Sequence, residues 1–309
     1  MEILRVSSAE FVLAFPVANH VFNTVKFAEL NKSKCLGIHY LVLRDTKYRL
    51  GIILGEKEHE LCNPFSAPFG GFISNRNERI EYFDEAVQLL KDYSNKVGKI
   101  IRFVTTPDIY DLTLFAKTYS AIIRNGGGVA IMDMNYHYIL SNFDNFKENI
   151  DRQARKNLNK ALENEFNFIK LNSKIVDDMR RAYQIIKINR EQRGFPLRMS
   201  LDDIIQTSSI IDIDFFVCTL NNVDVAAAII YHVTPDIYQV VYWGDVHDYY
   251  SFRVMNYLSY KVFEYYRALN AKILDIGPST ESGNPNYGLC AFKESIGCEV
   301  STKITFMIG

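Results

Sequence analysis

The chain has 309 residues, 48% of them hydrophobic, which is enough to bury a core in one large domain or in two ordinary ones. Lysine and arginine number 35 against 36 aspartates and glutamates, and this balance argues against a global attraction to DNA or to an anionic membrane. No apolar run approaches the roughly 20 residues of a membrane helix, so we expect no transmembrane segment.

The first residues of the sequence indicate a compartment, and the cysteines and histidines indicate whether disulfides or a metal are expected. An apolar run at 11–18 follows Glu2 and Glu10 and lacks a small-residue cleavage site, which argues against a signal peptide and favours a cytoplasmic protein. The five cysteines form no C-x-x-C pair, and the six histidines have no metal-ligand spacing. We therefore expect neither a disulfide framework nor a bound metal.

In the first half, alternating apolar residues predict strands, and apolar residues at helical spacing predict helices. A loop rich in proline and glycine separates the first two strands from the first long helix. The predicted order is strand 38–44, strand 49–54, loop 63–72, helix 79–96, strand 99–104 and helix 112–124.

The second half repeats a coarse strand and helix pattern and ends in a strand-helix-strand crossover. The predicted order is helix 145–163, strand 166–171, helix 174–193, strands 214–220, 223–233 and 237–243, helix 254–269, strand 272–276, a loop with a short helix, and strand 298–307. This order predicts an α/β fold with mixed sheets and a boundary near 126–138, which gives domains 1–135 and 136–309. Two parallel strands that diverge in the last third would leave a cleft for an extended ligand.

Five segments carry a family resemblance: SAPFGGF (66–72), DRQARKNLNKALENEF (151–166), INREQRGFP (188–196), VDVAAAIIYH with YQVVYWGD (223–245), and GNPNYGLCAFKESIGCE (283–299). In this order they resemble the GNAT-like acyltransferases, specifically the tandem-domain branch that includes the FemABX peptidoglycan aminoacyltransferases. The resemblance implies two GNAT-like subdomains, with the transfer site in the C-terminal one. It also implies movement of an acyl group from a thioester or an aminoacyl ester to a primary amine.

Three residues are candidates for catalysis. The resemblance implies that Lys293 faces the negative charge that develops on the reacting carbonyl; a solvent-facing lysine is the alternative. Tyr287 is a candidate proton donor to the leaving group, although an exposed tyrosine is commoner. Asp245 is a candidate base for the attacking ammonium, with His247 and Glu191 as alternatives.

Two further groups are candidates for binding. The cofactor candidates lie in the loop before the short helix and in the segment before the helix at 254–269: Phe252, Arg253, Asn286 and Gly288. The substrate candidates combine aromatic residues, an acid and a cationic helix face that also holds Lys156 and Lys160: Phe69, Phe72, Arg152, Arg155, Glu191 and Trp243. A solvated charge stripe explains the cationic face equally well.

The leading hypothesis is an N-acyltransferase that uses acetyl-CoA or another acyl-CoA and an amine on a small molecule or a cell-wall precursor. The alternatives are a FemABX-type enzyme that takes an amino acid from charged tRNA, and a catalytically degenerate protein that only binds a ligand. The segment HDYYSFRVMN (247–256) lacks the glycines of a pyrophosphate loop, and no long heptad arm is present. No nucleophile motif occurs, so we expect direct attack by the amine.

Overall fold

The computed structural model describes all residues, 1–309, and the chain divides into two compact units. Unit 1 comprises Met1–Met134, Thr280–Asn284 and Ser301–Gly309, and unit 2 comprises Asn135–Ser279 and Pro285–Val300. The stretch predicted as a boundary is a strand, Gly128–Ile139, and the division falls inside it. No helix combines the length and the apolar composition needed to cross a lipid bilayer.

Unit 1 holds a mixed sheet with helices packed against it. Its strands are β1 (Glu2–Val6), β2 (Gly37–Arg44), β3 (Tyr48–Glu56), β4 (Glu60–Asn63) and β5 (Ile100–Val104), and its helices are α1 (Ser8–Ala14), α2 (Val25–Leu30), α3 (Ile80–Val97) and α4 (Leu112–Arg124). The strands pair in numerical order, antiparallel except for the parallel pair β4 and β5. Thr305–Ile308 of the last strand of the chain pairs antiparallel with β5.

The core of unit 1 lies between its sheet and helices α3 and α4. Apolar side chains from β2, β3 and β5 pack with Phe83, Leu90 and Ile122 from the two helices. Helix α3 ends at Gly98, whose φ of +69° is a left-handed conformation that glycine adopts without strain. Helix α4 begins at Asp111, whose side chain accepts a 2.9 Å hydrogen bond from the Leu114 amide.

Unit 2 is built around six strands that pair in mixed directions. Strand β6 (Gly128–Ile139) enters it from unit 1, and the next elements are α5 (Phe146–Asn149), α6 (Arg152–Leu162), β7 (Asn167–Lys170), α7 (Val176–Arg193), α8 (Leu201–Ser208), β8 (Ile213–Leu220), β9 (Val223–His232), β10 (Ile237–Asp245), α9 (Val254–Ala268) and β11 (Ile273–Pro278). The strands lie in the order β6-β11-β10-β9-β8-β7. Only β10 and β11 are parallel among the pairs from β11 to β7.

The chain then forms the short strands β12 (Thr280–Glu281) and β13 (Asn284–Pro285), helix α10 (Tyr287–Ser295) and strand β14 (Glu299–Ile308). The predicted mixed α/β fold is confirmed. The prediction of a single helix at 145–163 is wrong. Ile150 is extended and buried, and the Asp151 amide donates a 2.9 Å hydrogen bond to the Ser295 carbonyl. These contacts separate α5 from α6.

Candidate functional site

The parallel strands β10 and β11 diverge after a short paired stretch. They pair over three positions only, from Ile237 with Ile273 to Gln239 with Asp275, although β10 continues to Asp245 and β11 to Pro278. A bulge in β10 lies just beyond the paired stretch, because Val241 has no partner in β9. We call the region between the unpaired carboxyl-terminal parts of β10 and β11 the cleft.

A buried polar network fixes the base of this cleft. The carboxylate of Asp275, which is fully buried, accepts hydrogen bonds from Asn135 and Gln239, each at 2.8 Å, and from the Gly277 amide at 2.9 Å. Sequence reasoning missed these residues. The available signal was an aspartate inside an apolar strand, since a buried carboxylate requires partners.

Lys293 lies on α10 and is only 2% exposed. Its ammonium donates to three consecutive carbonyl oxygens at the end of β11, those of Ile276 (3.0 Å), Gly277 (2.8 Å) and Pro278 (3.3 Å). Burial lowers the pKa of Lys293 to about 8. Since an ammonium has three N–H donors, each already has an acceptor, and Lys293 brings charge to this edge rather than a spare donor.

The loop that precedes α10 uses its polar groups to hold its own shape. The Asn286 side chain accepts a 3.1 Å hydrogen bond from the Leu289 amide, and the Asn286 amide donates to the Ser279 carbonyl at 2.9 Å. Gly288 is exposed, and Tyr287 is 80% exposed. Asn286 therefore caps the helix, while Tyr287 and Gly288 are open to solvent.

Trp243 and Phe292 form an aromatic contact between β10 and α10. Trp243 lies on the part of β10 that has no β11 partner, and Phe292 precedes Lys293 on α10. Their ring centroids are 6.3 Å apart at an interplanar angle of 72°. Both side chains are half-buried, so a ligand in the cleft would meet an aromatic edge.

Asp245 ends β10 and is 2% exposed. Its Oδ1 accepts hydrogen bonds from Arg193 at 3.1 Å and from Asn189 at 3.3 Å. Burial raises the pKa of the Asp245 carboxyl, and the charge of Arg193 opposes that rise. Glu191, one of the alternative bases, is exposed, and its Oε1 lies 3.9 Å from the Nζ of Lys187.

The segment before α9 is filled by side chains that pack on one another. Residues His247–Phe252 form a short 3₁₀ helix, and Arg253 follows with a left-handed φ of +61°. The Arg253 guanidinium lies 4.8 Å from the ring of Tyr250, and the rings of Tyr249 and Phe252 are 6.2 Å apart. The cofactor candidates Phe252 and Arg253 are themselves half-buried, whereas Tyr250 in the same turn is 54% exposed.

The remaining substrate candidates fall into two groups. The side chains of Phe69 and Phe72 are fully buried in unit 1, where Phe69 packs against His20 and Phe72 against Phe103. Both side chains pack in the interior of unit 1 and are closed to solvent, and their predicted contact with substrate stays a prediction. The cationic face of α6 is exposed, and none of its members has an acidic partner within 4.0 Å: Arg152, Arg155, Lys156 and Lys160.

No protein-family model matches the sequence, and no curated protein matches it. Among solved structures, FemX aligns over 99% of this chain and 97% of its own, with 13% identity and a TM-score of 0.69. The C-terminal domain of a putative lysylphosphatidylglycerol synthetase from Agrobacterium fabrum aligns over 98% and 93%, with 12% identity and a TM-score of 0.64. A tandem GNAT protein from the clavulanic acid biosynthesis pathway aligns over 99% and 97%, with 8% identity and a TM-score of 0.54.

These likenesses extend over nearly the whole chain, and they establish its fold. The chain has the tandem GNAT-like fold of the FemABX-like type, as the resemblance predicted.

Proposed function

We propose that this protein is a transferase that moves an acyl or aminoacyl group from an activated carrier to a primary amine. The observation that carries the proposal is the divergence of β10 and β11 after Gln239 and Asp275. A cleft between parallel strands admits an extended carrier and exposes backbone groups to its carbonyl. The tandem GNAT-like fold supports the same class of reaction.

The residues around the cleft suit direct attack by an amine. Asp245 accepts the proton of the attacking ammonium, and burial, which raises the pKa of its carboxyl, makes it a stronger base than an ordinary aspartate. The positive charge of Lys293, held at the end of β11, stabilises the negative charge that develops on the carbonyl oxygen. Tyr287, exposed at the start of α10, is the proposed proton donor to the leaving group.

The turn before α9 helps to distinguish between acyl-CoA and charged tRNA as the donor. A pyrophosphate binds best where backbone N–H groups at a helix N-terminus are open. Here the guanidinium of Arg253 lies against the ring of Tyr250 beside that turn, and no glycine allows a ligand to approach the backbone more closely. This observation favours an aminoacyl ester carried by tRNA over acyl-CoA, with an amine of a small molecule or a cell-wall precursor as the acceptor.

Trp243 provides the test, because it is the single tryptophan of the chain and lies beside the cleft. The protein is titrated separately with acetyl-CoA, charged tRNA and uncharged tRNA while the tryptophan emission maximum is followed. Transfer of a radiolabelled amino acid or acetyl group to small amines of a bacterial extract is measured in parallel. Trp243→Phe is the fluorescence control, since it removes the signal.

The outcomes of this experiment distinguish the two donors from each other and a transferase from a protein that only binds a ligand. A shift with charged tRNA and label in an amine product support the aminoacyl donor, and the same result with acetyl-CoA establishes the other donor. A shift of the tryptophan emission maximum without any labelled product, when both donors are supplied, would show that the protein binds a ligand but does not transfer its acyl group. No shift with any ligand and no transfer would falsify the proposal.

A further inference from the structure

Arg190 is a half-buried cation in the last turn of α7. It lies against the part of β10 that is not paired with β11. Its guanidinium carbon is 5.4 Å from the ring centroid of Tyr242. Tyr242 follows the bulge at Val241 directly and precedes Trp243, so Arg190 lies over the strand segment that borders the cleft.

The guanidinium of Arg190 has no hydrogen-bond or ion-pair partner. Its Nε atom is buried and unpaired. Two carboxylates of α7 and β10 are engaged with other residues, because Asp245 accepts from Arg193 and Asn189, and Glu191 lies beside Lys187. An arginine offers five donors, and leaving a buried one unpaired costs stability.

The surroundings of Arg190 increase that cost. Burial lowers the pKa of its guanidinium, Tyr242 opposes this change, and the positive charge of Arg193, one turn further along the helix, adds to it. By contrast, Arg181 on the same helix makes two hydrogen bonds of 2.7 and 2.8 Å to Asp224. A desolvated cation of this kind, next to a second cation, favours an anion from outside the chain.

We propose that Arg190 binds an anionic group, a carboxylate or a phosphate, of the acceptor substrate. This assignment rests on the proposed transfer at the neighbouring cleft. The planar guanidinium suits either anion, since both present two oxygens to its parallel N–H groups. The aromatic face of Tyr242 holds the guanidinium in place and supplies an apolar wall beside the anion.

The test compares Arg190→Met with Arg181→Met as the matched control. Thermal unfolding is followed while inorganic phosphate or acetate replaces chloride at constant ionic strength. In the wild type we expect a saturable rise in melting temperature with one of the two anions, which identifies the source. In Arg190→Met we expect the half-saturating concentration to rise about tenfold or more, without a lower melting temperature in chloride.

Arg181→Met should behave in the opposite way, with a lower melting temperature in chloride and an unchanged response to the anion. Three results would overturn the proposal: no saturable rise in the wild type, a full response in Arg190→Met, or a loss of stability in Arg190→Met equal to that of Arg181→Met. Because neither anion is an acyl donor, this result is independent of whether transfer occurs.

Discussion

The side-chain amide of Gln239 donates a 2.8 Å hydrogen bond to Asp275 at the last position where β10 and β11 pair. Both residues are buried, and Asn135 donates to the same carboxylate. Asp275→Ala would leave these amides without acceptors, so we expect the free energy of unfolding to fall by about 3 kcal/mol. Urea denaturation followed by circular dichroism measures this change.

Asp236→Ala is the matched control for that variant. Asp236 pairs with Lys272 at 2.7 Å, but both side chains are more than half exposed, at 51% and 71%. Exposed ion pairs contribute about 0–1 kcal/mol, so the loss should be much smaller. Equal losses in the two variants would show that the Asp275 network does not hold the strands at their point of divergence.

The buried ammonium of Lys293 predicts an unusual dependence of stability on pH. Burial lowers its pKa from 10.5 to about 8 in the folded chain, so between these values the unfolded chain binds more protons. The difference in unfolding free energy between wild type and Lys293→Met should therefore rise with pH, by about 2 kcal/mol from pH 7.5 to 9.5. Urea denaturation at both pH values tests this, and a constant or falling difference contradicts it.

Much of the fold follows from local pattern. Helix α4 has the bounds that its apolar spacing predicts, and β10 and α9 lie within two residues of their predicted ends. Strand β6 was missed, because the glycines at 126–128 are typical of a linker and its partner lies more than a hundred residues away in β11. Local sequence does not encode such a pairing.

The candidate site was predictable only in part. The sequence identified Lys293, Trp243 and Asp245 as residue types suited to a transfer site, but it did not indicate which atoms were already engaged. Phe72 shows the limit most clearly, since an aromatic residue beside two glycines is typical of an exposed loop and is instead fully buried. Burial depends on contacts with residues such as Phe103 that are distant in the chain.

The lowered pKa of Asp214 leads us to expect that the free energy of unfolding falls in acid. Burial opposes ionisation of its carboxyl, yet hydrogen bonds from His232, Lys170 and Tyr266 lower its pKa to about 2. The folded pKa lies below the ordinary aspartate value of 3.8, so this contribution is present above about pH 4 and disappears as the pH falls towards 2. The stability difference between wild type and Asp214→Asn should shrink by about 1 kcal/mol from pH 6 to 3. A difference that is unchanged at pH 3, measured by urea denaturation, contradicts this account.

The proposed base, Asp245, is tested by the pH dependence of transfer with whichever donor yields a labelled product. Burial raises the pKa of its carboxyl, so the rate should increase with pH through a value above that of an ordinary aspartate. Asp245→Asn keeps an oxygen to accept from Arg193 but cannot take a proton, and we expect a loss of about 100-fold with this part of the pH profile removed. Glu58→Gln is the exposed control and should stay within about twofold, because the Glu58 side chain is 85% exposed and lies in unit 1. An unaltered pH profile in Asp245→Asn would show that another group removes the proton, and the role of Asp245 would then be to position Arg193.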